Sequence, residues 1–339
     1  MRGSEDQVAE VVYGKEVSFP QKLRTSRINP TARDIDPGRF QVHISTTRGF
    51  DQAYVHEKAP GGKGQALLCV HGWPESKRIF WKVIEPLAAA GFDVIVPDLR
   101  GFGDSGTAPD GFYDTPSHSR DLQSLVVDQL GYDKVVVLGG DLGGPVIQDM
   151  ALRFPDLVSR MILFNSPLPF DRERMSTLVG TRAPREAADY FIRQGTDADG
   201  LAGELNTPDE RHRYIATFYG SRFWAHPGTF DQEAVSFHTE PFRSAEVLRA
   251  SFGAYESVFD PAKNSEPSVM GRNETTPTLI MFGPSDHVIY PAFDQMAAQV
   301  FDLHVGPFII RDCGHFVPWE APQALVSGTI AFCSDLLAD

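Results

Sequence analysis

The sequence predicts an α/β protein: a mostly parallel, doubly wound sheet interrupted by an inserted helical lid. Three observations carry this. From residue 40 to 166, short apolar β-branched runs alternate with amphipathic segments, the rhythm of a parallel sheet covered on both faces. From 167 to 276 the strand-like runs vanish and aromatic residues crowd helix-like pieces. From 277 the strand–helix rhythm returns and lasts to the end of the chain. The expected organisation is an extended, polar, Pro-containing arm over 1–38, a core over 39–166 and 277–339, and a helical lid over 167–276.

The elements follow in order. FQVHIST (40–46) and DQAYVHE (51–57) form an antiparallel pair around the turn TRGF. ALLCVHG (66–72) is a buried strand that runs into glycine. SKRIFWKVIEPLAAAG (76–91) has helical apolar spacing and stops at Gly91. FDVIVPD (92–98) is a buried strand, and PSHSRDLQSLVVDQLG (116–131) an amphipathic helix. KVVVLGG (134–140), GPVIQDMALRF (144–154) and VSRMILFNS (158–166) read as strand, helix, strand. After the lid come a strand at 277–283, a helix from Ala292, a strand at 307–312 and a last helix over 323–337.

Composition narrows the function. With 339 residues, 42% hydrophobic and 22% charged, the chain can bury a large core. A net charge of −14 argues against a nucleic-acid partner. Cys69, Cys313 and Cys333 are far apart and form no C-x-x-C, so neither a disulfide framework nor a zinc site is expected, and a reducing, cytoplasmic setting fits. No apolar run approaches the ~20 residues of a membrane span, and the polar N-terminus shows no signal-peptide apolar region. No metal or cofactor is expected. Self-association into a homo-oligomer stays open.

The chemistry centres on VVVLGGDLGG (135–144), where a buried strand meets glycines, then Asp141, Leu142 and two more glycines. A carboxylate at such a tip is costly unless it is paired or used. Small residues two before and two after Asp141 suit a sharp strand-to-helix elbow, which lifts one side chain into a pocket. The bland alternative is a Gly-rich turn with Asp141 as helix N-cap. No G-x-G-x-x-G fingerprint or phosphate-binding loop is present. Three other stretches decide between these readings. His71-Gly72-Trp73-Pro74 follows an early strand, where its loop can aim a backbone N–H at Asp141. Asp286 and His315 each lie just beyond a late strand. Strand C-terminal ends share one edge of a parallel sheet, so all of these residues meet there.

The chain resembles the α/β-hydrolase superfamily, specifically its epoxide hydrolase branch, over roughly residues 40–337. The resemblance rests on HGWPES (71–76), PDLRGFGDSG (97–106), GGDLGG (139–144), GPSDH (283–287) and GHFVPWE (314–320). It implies an α/β-hydrolase fold with a lid (cap), a supporting loop of His71, Gly72 and a cis Pro74, and Asp141 as nucleophile with Asp286 and His315 completing the triad. A carboxylate attacking a carboxylic ester gives only an anhydride. Attacking a saturated carbon gives a stable ester that water can cleave. An epoxide or an alkyl halide, small and apolar, is therefore the expected substrate. His315, oriented by Asp286, would activate the water, and the N–H groups of Trp73 and Leu142 would hold the oxyanion.

Leaving alkoxides need proton donors. Likeness to lid segments of epoxide hydrolases selects Tyr255 in LRASFGAYESVF (248–259) and Tyr219 in IATFYGSRFW (215–224), with Tyr214 and Tyr190 in reserve. Related haloalkane dehalogenases usually carry tryptophan after the nucleophile and Asn or Glu after H-G. Here Leu142 and Trp73 stand at those places, which favours epoxides. A haloalkane dehalogenase and a non-catalytic ligand receptor remain the alternatives. His226 and His238 are possible lid donors with structural roles expected, and His287 is a neighbour of Asp286 only.

Overall fold

The computed structural model describes residues 8–12, 15–19, 23–24, 31–62, 64–178 and 190–337. The rest of the arm and residues 179–189 of the expected lid lie outside the described residues.

The strands are β1 (Val8–Val12), β2 (Lys15–Phe19), β3 (Leu23–Arg24), β4 (Val42–Thr47), β5 (Phe50–Glu57), β6 (Gln65–Val70), β7 (Phe92–Pro97), β8 (Val135–Gly139), β9 (Val158–Phe164), β10 (Thr278–Phe282) and β11 (His304–Arg311). β1 and β2 form a separate antiparallel ribbon, so the arm is not merely extended. The main sheet has nine strands in the order β3-β11-β10-β9-β8-β6-β7-β5-β4. Every pair from β3 to β7 is parallel; β5 alone runs against the other strands, antiparallel to both β7 and β4. The strand order jumps around β6, as a doubly wound sheet requires. β7, β8 and β10 are buried at every position, which explains their unbroken apolar runs. The β4–β5 hairpin turns at Arg48 and Gly49, both at positive φ (45° and 92°), the geometry of the tight turn that matches strand twist.

Most elements fall where their sequence patterns put them, and the departures have local causes. The 76–91 stretch is a 3-10 turn, Lys77–Phe80, followed by a short helix, Ile84–Ala89. The segment expected as one helix over 116–131 is α-helical over Thr115–Ser124 and continues as π-helix over Leu125–Gln129. β11 starts at His304, before the expected Pro307, because its pairing with β10 shifts register around the Gly306–Pro307 step. Helices Thr115–Ser124 and Gly143–Arg153 pack together, and Ile84–Ala89 meets the last helix, Pro322–Phe332.

Between β9 and β10 the described residues contain helices and no named strand: Arg172–Met175, Tyr190–Thr196, Ala198–Glu204, Pro208–Tyr219, Gln232–Thr239, Ala245–Ser251 and Gly253–Phe259. They start well. Thr207 and Glu210 form a reciprocal capping box, and Asp231 and Ser244 cap the helices that follow them. This helical insertion touches the sheet edge at several loops: the Trp73 indole donates to Ser251 at 3.1 Å, and the His315 amide donates to the Trp224 carbonyl at 2.7 Å. No helix among the described residues is long and apolar enough to cross a membrane.

Candidate active site

The strands deliver the site through their C-terminal ends. Asp141 lies just past β8 with φ +43°, a left-handed conformation that a non-glycine residue holds only under constraint. The constraint is visible. The Asp141 amide donates to the Asn165 carbonyl at 2.9 Å, past the end of β9. The elbow then presses so close to β6 that a Cβ on Gly143 would run into the Val70 carbonyl, so only glycine fits there. Helix Gly143–Arg153 begins directly behind, with Leu142 at its N-cap and half-buried against the core. The result is a carboxylate 8% exposed, aimed out of the sheet edge.

Each Asp141 oxygen has its own neighbour. Oδ1 accepts the Trp73 amide at 2.6 Å. Oδ2 lies 3.2 Å from His315 Nε2. The other imidazole nitrogen, Nδ1, is 2.8 Å from Asp286 Oδ2. Since a carboxylate only accepts, Nδ1 carries the proton in this contact. Asp286 is held in turn by the Val288 amide at 2.7 Å and by Asn165 Nδ2 at 3.0 Å.

Trp73 sits on the loop predicted to support the site. His71 Nε2 accepts the Leu99 amide at 3.0 Å, which leaves Nδ1 to donate to the Gly72 carbonyl at 2.8 Å, so this buried histidine braces the loop. Gly72 is needed for closeness, since a Cβ there would lie 2.5 Å from Asp141 Cβ. The Trp73–Pro74 bond is cis, as the resemblance implies.

Charge follows this geometry. Burial opposes a proton on His315, but Asp286 and then Asp141 outweigh it and hold its pKa well above the usual histidine value. Glu75, whose Oε2 takes the Gly72 amide at 2.6 Å, is pushed up to about 7 by burial and then by the Asp141 charge.

The helical insertion, expected as a lid, brings aromatic rings against Trp73 and His315. Trp73 stacks on Tyr190 (5.2 Å, 13°) and meets Phe218 and Tyr255 edge-on. Trp224 lies 4.7 Å from the His315 ring. The Tyr190 and Tyr255 hydroxyls are 3.4 Å apart. Both phenols have pKa values raised well above the ordinary one. Burial is the main cause for each, and the Asp141 charge adds to both. Helices Tyr190–Thr196 and Gly253–Phe259 can approach this closely because a Cβ on Gly195 would sit 2.7 Å from the Tyr255 carbonyl oxygen.

The tyrosine paired with Tyr255 is thus Tyr190, held in reserve by the sequence reading, and not Tyr219. The Tyr219 hydroxyl donates to the Pro74 carbonyl at 2.5 Å, and its ring is stacked on Phe316 and His238. The reason is packing: helix Pro208–Tyr219 ends with this ring driven down onto the His315 loop, 1% exposed. The Tyr214 hydroxyl accepts from Gln194 at 2.9 Å. Of the lid histidines, His226 pairs with Ser285 at 3.0 Å, and His238 is packed among aromatic rings with its pKa pushed well below normal by burial. His287 is exposed.

Asn165 escaped the sequence reading. It follows β9 with φ +34°, and its amide donates to Asp286, to the Gly283 carbonyl (3.0 Å) and to the Gly314 carbonyl (3.1 Å), knitting the elbow to both other loops. The signal was present: a polar residue closing the buried run MILFNS (161–166), as Asp141 closes its own.

Known proteins bear on this arrangement. A family model described as the α/β hydrolase fold matches residues 65–322. The soluble epoxide hydrolase of Corynebacterium sp. is 28% identical over 300 residues, covering 87% of this chain and 97% of that protein. The solved epoxide hydrolase CorEH, without ligand, superposes with a TM-score of 0.72 at 24% identity, covering 88% of this chain and 99% of that one. The juvenile hormone epoxide hydrolase of the silkworm Bombyx mori gives 0.71 at 20% identity, over 88% of this chain and 77% of that one. With more than half its length matched by that family model, the chain belongs to the α/β hydrolase fold family.

Proposed function

We propose that this protein is an epoxide hydrolase that works through an ester on Asp141. The observation that carries the reading is the pair of phenols, Tyr190 and Tyr255, 3.4 Å apart and packed on Trp73, whose amide donates to a carboxylate that also neighbours a histidine–aspartate pair. The names of the similar proteins support the same substrate class.

The chemistry runs in two steps. Asp141 Oδ2 attacks an epoxide carbon, and the ring C–O bond breaks toward the phenols. One of them gives its proton to the ring oxygen. Oδ2 is the attacking atom because Oδ1 is already held by the Trp73 amide. Oδ1 then becomes the ester carbonyl, with an N–H donor waiting for the charge of the next step. In that step His315 takes a proton from water, and the hydroxide adds to the Asp141 carboxyl carbon. The Trp73 and Leu142 amides hold the resulting oxyanion. The ester bond then breaks to release the diol and restore the carboxylate, and the protons left on His315 and on the former hydroxide return to the product and the phenolate.

Electrostatics times the second step. In the free site two carboxylates favour a protonated His315. Esterification removes the Asp141 charge, so the His315 pKa falls, its resting proton leaves to solvent and the neutral imidazole can act as base; the proton is taken up again once the carboxylate is restored.

A phenol pair suits a basic alkoxide leaving group better than a halide. The Trp73 indole N–H, a candidate halide donor, is engaged by Ser251. The helices of 167–276 would close this site as its lid.

The test uses a panel of epoxides and alkyl halides, with diol and halide release measured side by side. Multiple turnovers in ¹⁸O-water should put label into the Asp141 carboxylate. Binding without diol would leave a receptor, and halide release without diol a dehalogenase.

A further inference from the structure

Glu320 is a deeply buried carboxylate, 3% exposed, that the reaction above does not use. It ends the short helix Val317–Glu320, five residues past His315. Its Oε1 accepts the Phe316 amide at 2.9 Å. Its Oε2 accepts the Gly314 amide at 3.0 Å and the His226 amide at 2.8 Å, with the Thr229 hydroxyl at 3.3 Å. The amide between these two loop donors, that of His315 itself, goes to the lid carbonyl of Trp224 at 2.7 Å. Three successive amides, 314 to 316, are therefore held by one carboxylate and one lid carbonyl.

Burying a carboxylate here has a cost, visible in a pKa pushed up to about 7 chiefly by burial, with three backbone N–H bonds working against the shift. An apolar side chain would avoid that cost but leave three backbone donors, two of them buried, without their acceptor. A carboxylate in this place has another consequence. The His315 ring must reach Asp286 and Asp141 at once, at 2.8 and 3.2 Å. Those two contacts leave no slack for a loop that shifts.

Resting on the epoxide hydrolase reading, we infer that Glu320 is a positioning residue: it locks the backbone on both sides of His315 to the lid segment 224–229 and so aims the imidazole for the ester-hydrolysis step. Formation of the ester needs Asp141 and the phenols, which Glu320 does not touch. A loop shift of an ångström can cost on the order of 100-fold in rate, and that loss should fall on one step.

The experiment is rapid-quench kinetics of the full chain with styrene oxide, following alkyl-enzyme by mass, for wild type, Glu320→Gln and Thr229→Val. The glutamine keeps size and one acceptor but turns an amino group toward a backbone N–H. Its ester formation should stay within about threefold of wild type, while ester hydrolysis slows ~10- to 100-fold and alkyl-enzyme accumulates. Thr229→Val removes a hydroxyl whose one hydrogen is shared between the His226 carbonyl (2.7 Å) and Glu320 Oε2 (3.3 Å) and should shift the same step by less, which keeps the test open should the glutamine variant not fold. Equal slowing of both steps, or hydrolysis at the wild-type rate in the folded variants, overturns the positioning role. A wild-type protein that forms no alkyl-enzyme overturns the underlying reading as well, and so the two failures are told apart.

Discussion

The sheet edge and the helical insertion proposed as its lid place their polar groups by different physics. At the sheet edge, Asp141, Asp286 and His315 each follow the end of a parallel strand within a few residues. Parallel pairing aligns those ends, and backbone contacts such as the Asp141 amide to the Asn165 carbonyl finish the job. In the lid, Tyr190 and Tyr255 meet only because two helices touch at Gly195. Groups aligned by strand ends are set by local sequence. Groups aligned by helix packing depend on neighbours far along the chain. Substitutions at the edge should therefore stop the reaction at a definite step, and substitutions in the lid should grade it.

The largest expected effect is at Asp141. Asp141→Asn should lower epoxide hydrolysis by a factor on the order of 10⁴ or more, as removal of a nucleophile does elsewhere, and should abolish ester formation. It should also move His315. Burial opposes the His315 proton, and Asp286 and Asp141 together hold it on, so deleting one negative charge must lower its pKa. NMR titration of the imidazole in both proteins reads the shift. An unchanged or higher pKa would break the electrostatic link between the two steps.

Next comes His315→Gln. Ester formation should continue and ester hydrolysis slow by roughly 10²–10⁴, the range of a lost general base. Intact-protein mass should then rise by the mass of the whole epoxide. A variant that turns over at the wild-type rate without that adduct would move the base elsewhere.

How much of this was legible follows the same division. The strand-end residues and the cis Trp73–Pro74 loop could be read from GGDLGG, GPSDH, GHFVPWE and HGWPES, because each motif encodes its own turn. Asn165 could have been read by the same rule and was not. Tyr255 was selected by the likeness of its segment, but its partner Tyr190 could not be read. Tyr219 and Tyr255 both sit in aromatic segments, and nothing local says that the Tyr219 ring is stacked on Phe316. Nor does GHFVPWE reveal that Glu320 accepts the His226 amide from a segment 94 residues away.

The phenol pair should show graded behaviour. Tyr255→Phe and Tyr190→Phe should each slow ester formation by about 10- to 100-fold, because the remaining hydroxyl still reaches the ring oxygen. The double variant should lose more than either alone, and ester hydrolysis should hardly change in any of them. Single-turnover quench separates the two rates. Full-speed ester formation in the double variant would return the dehalogenase reading to the front.

The smallest effect, and the sharpest test of the comparison, is at Tyr219. Its hydroxyl is committed to the Pro74 carbonyl on the loop that presents the Trp73 amide to Asp141. Tyr219→Phe keeps the stacked ring and removes only that bond. A buried carbonyl left without a donor costs about 1–3 kcal/mol, so the variant should lose stability of that order, measured by denaturant unfolding. Proton donation to an epoxide would leave a different trace. If the hydroxyl served the ring oxygen, its loss would slow ester formation as much as Tyr255→Phe does and leave stability almost untouched. A bond to the loop predicts lower stability, ester formation close to wild type, and any kinetic loss confined to ester hydrolysis, where the Trp73 amide carries developing charge. Slow ester formation in Tyr219→Phe would mean that the lid can rearrange to bring this phenol over Asp141, and the pairing of Tyr190 with Tyr255 would no longer describe the acting site.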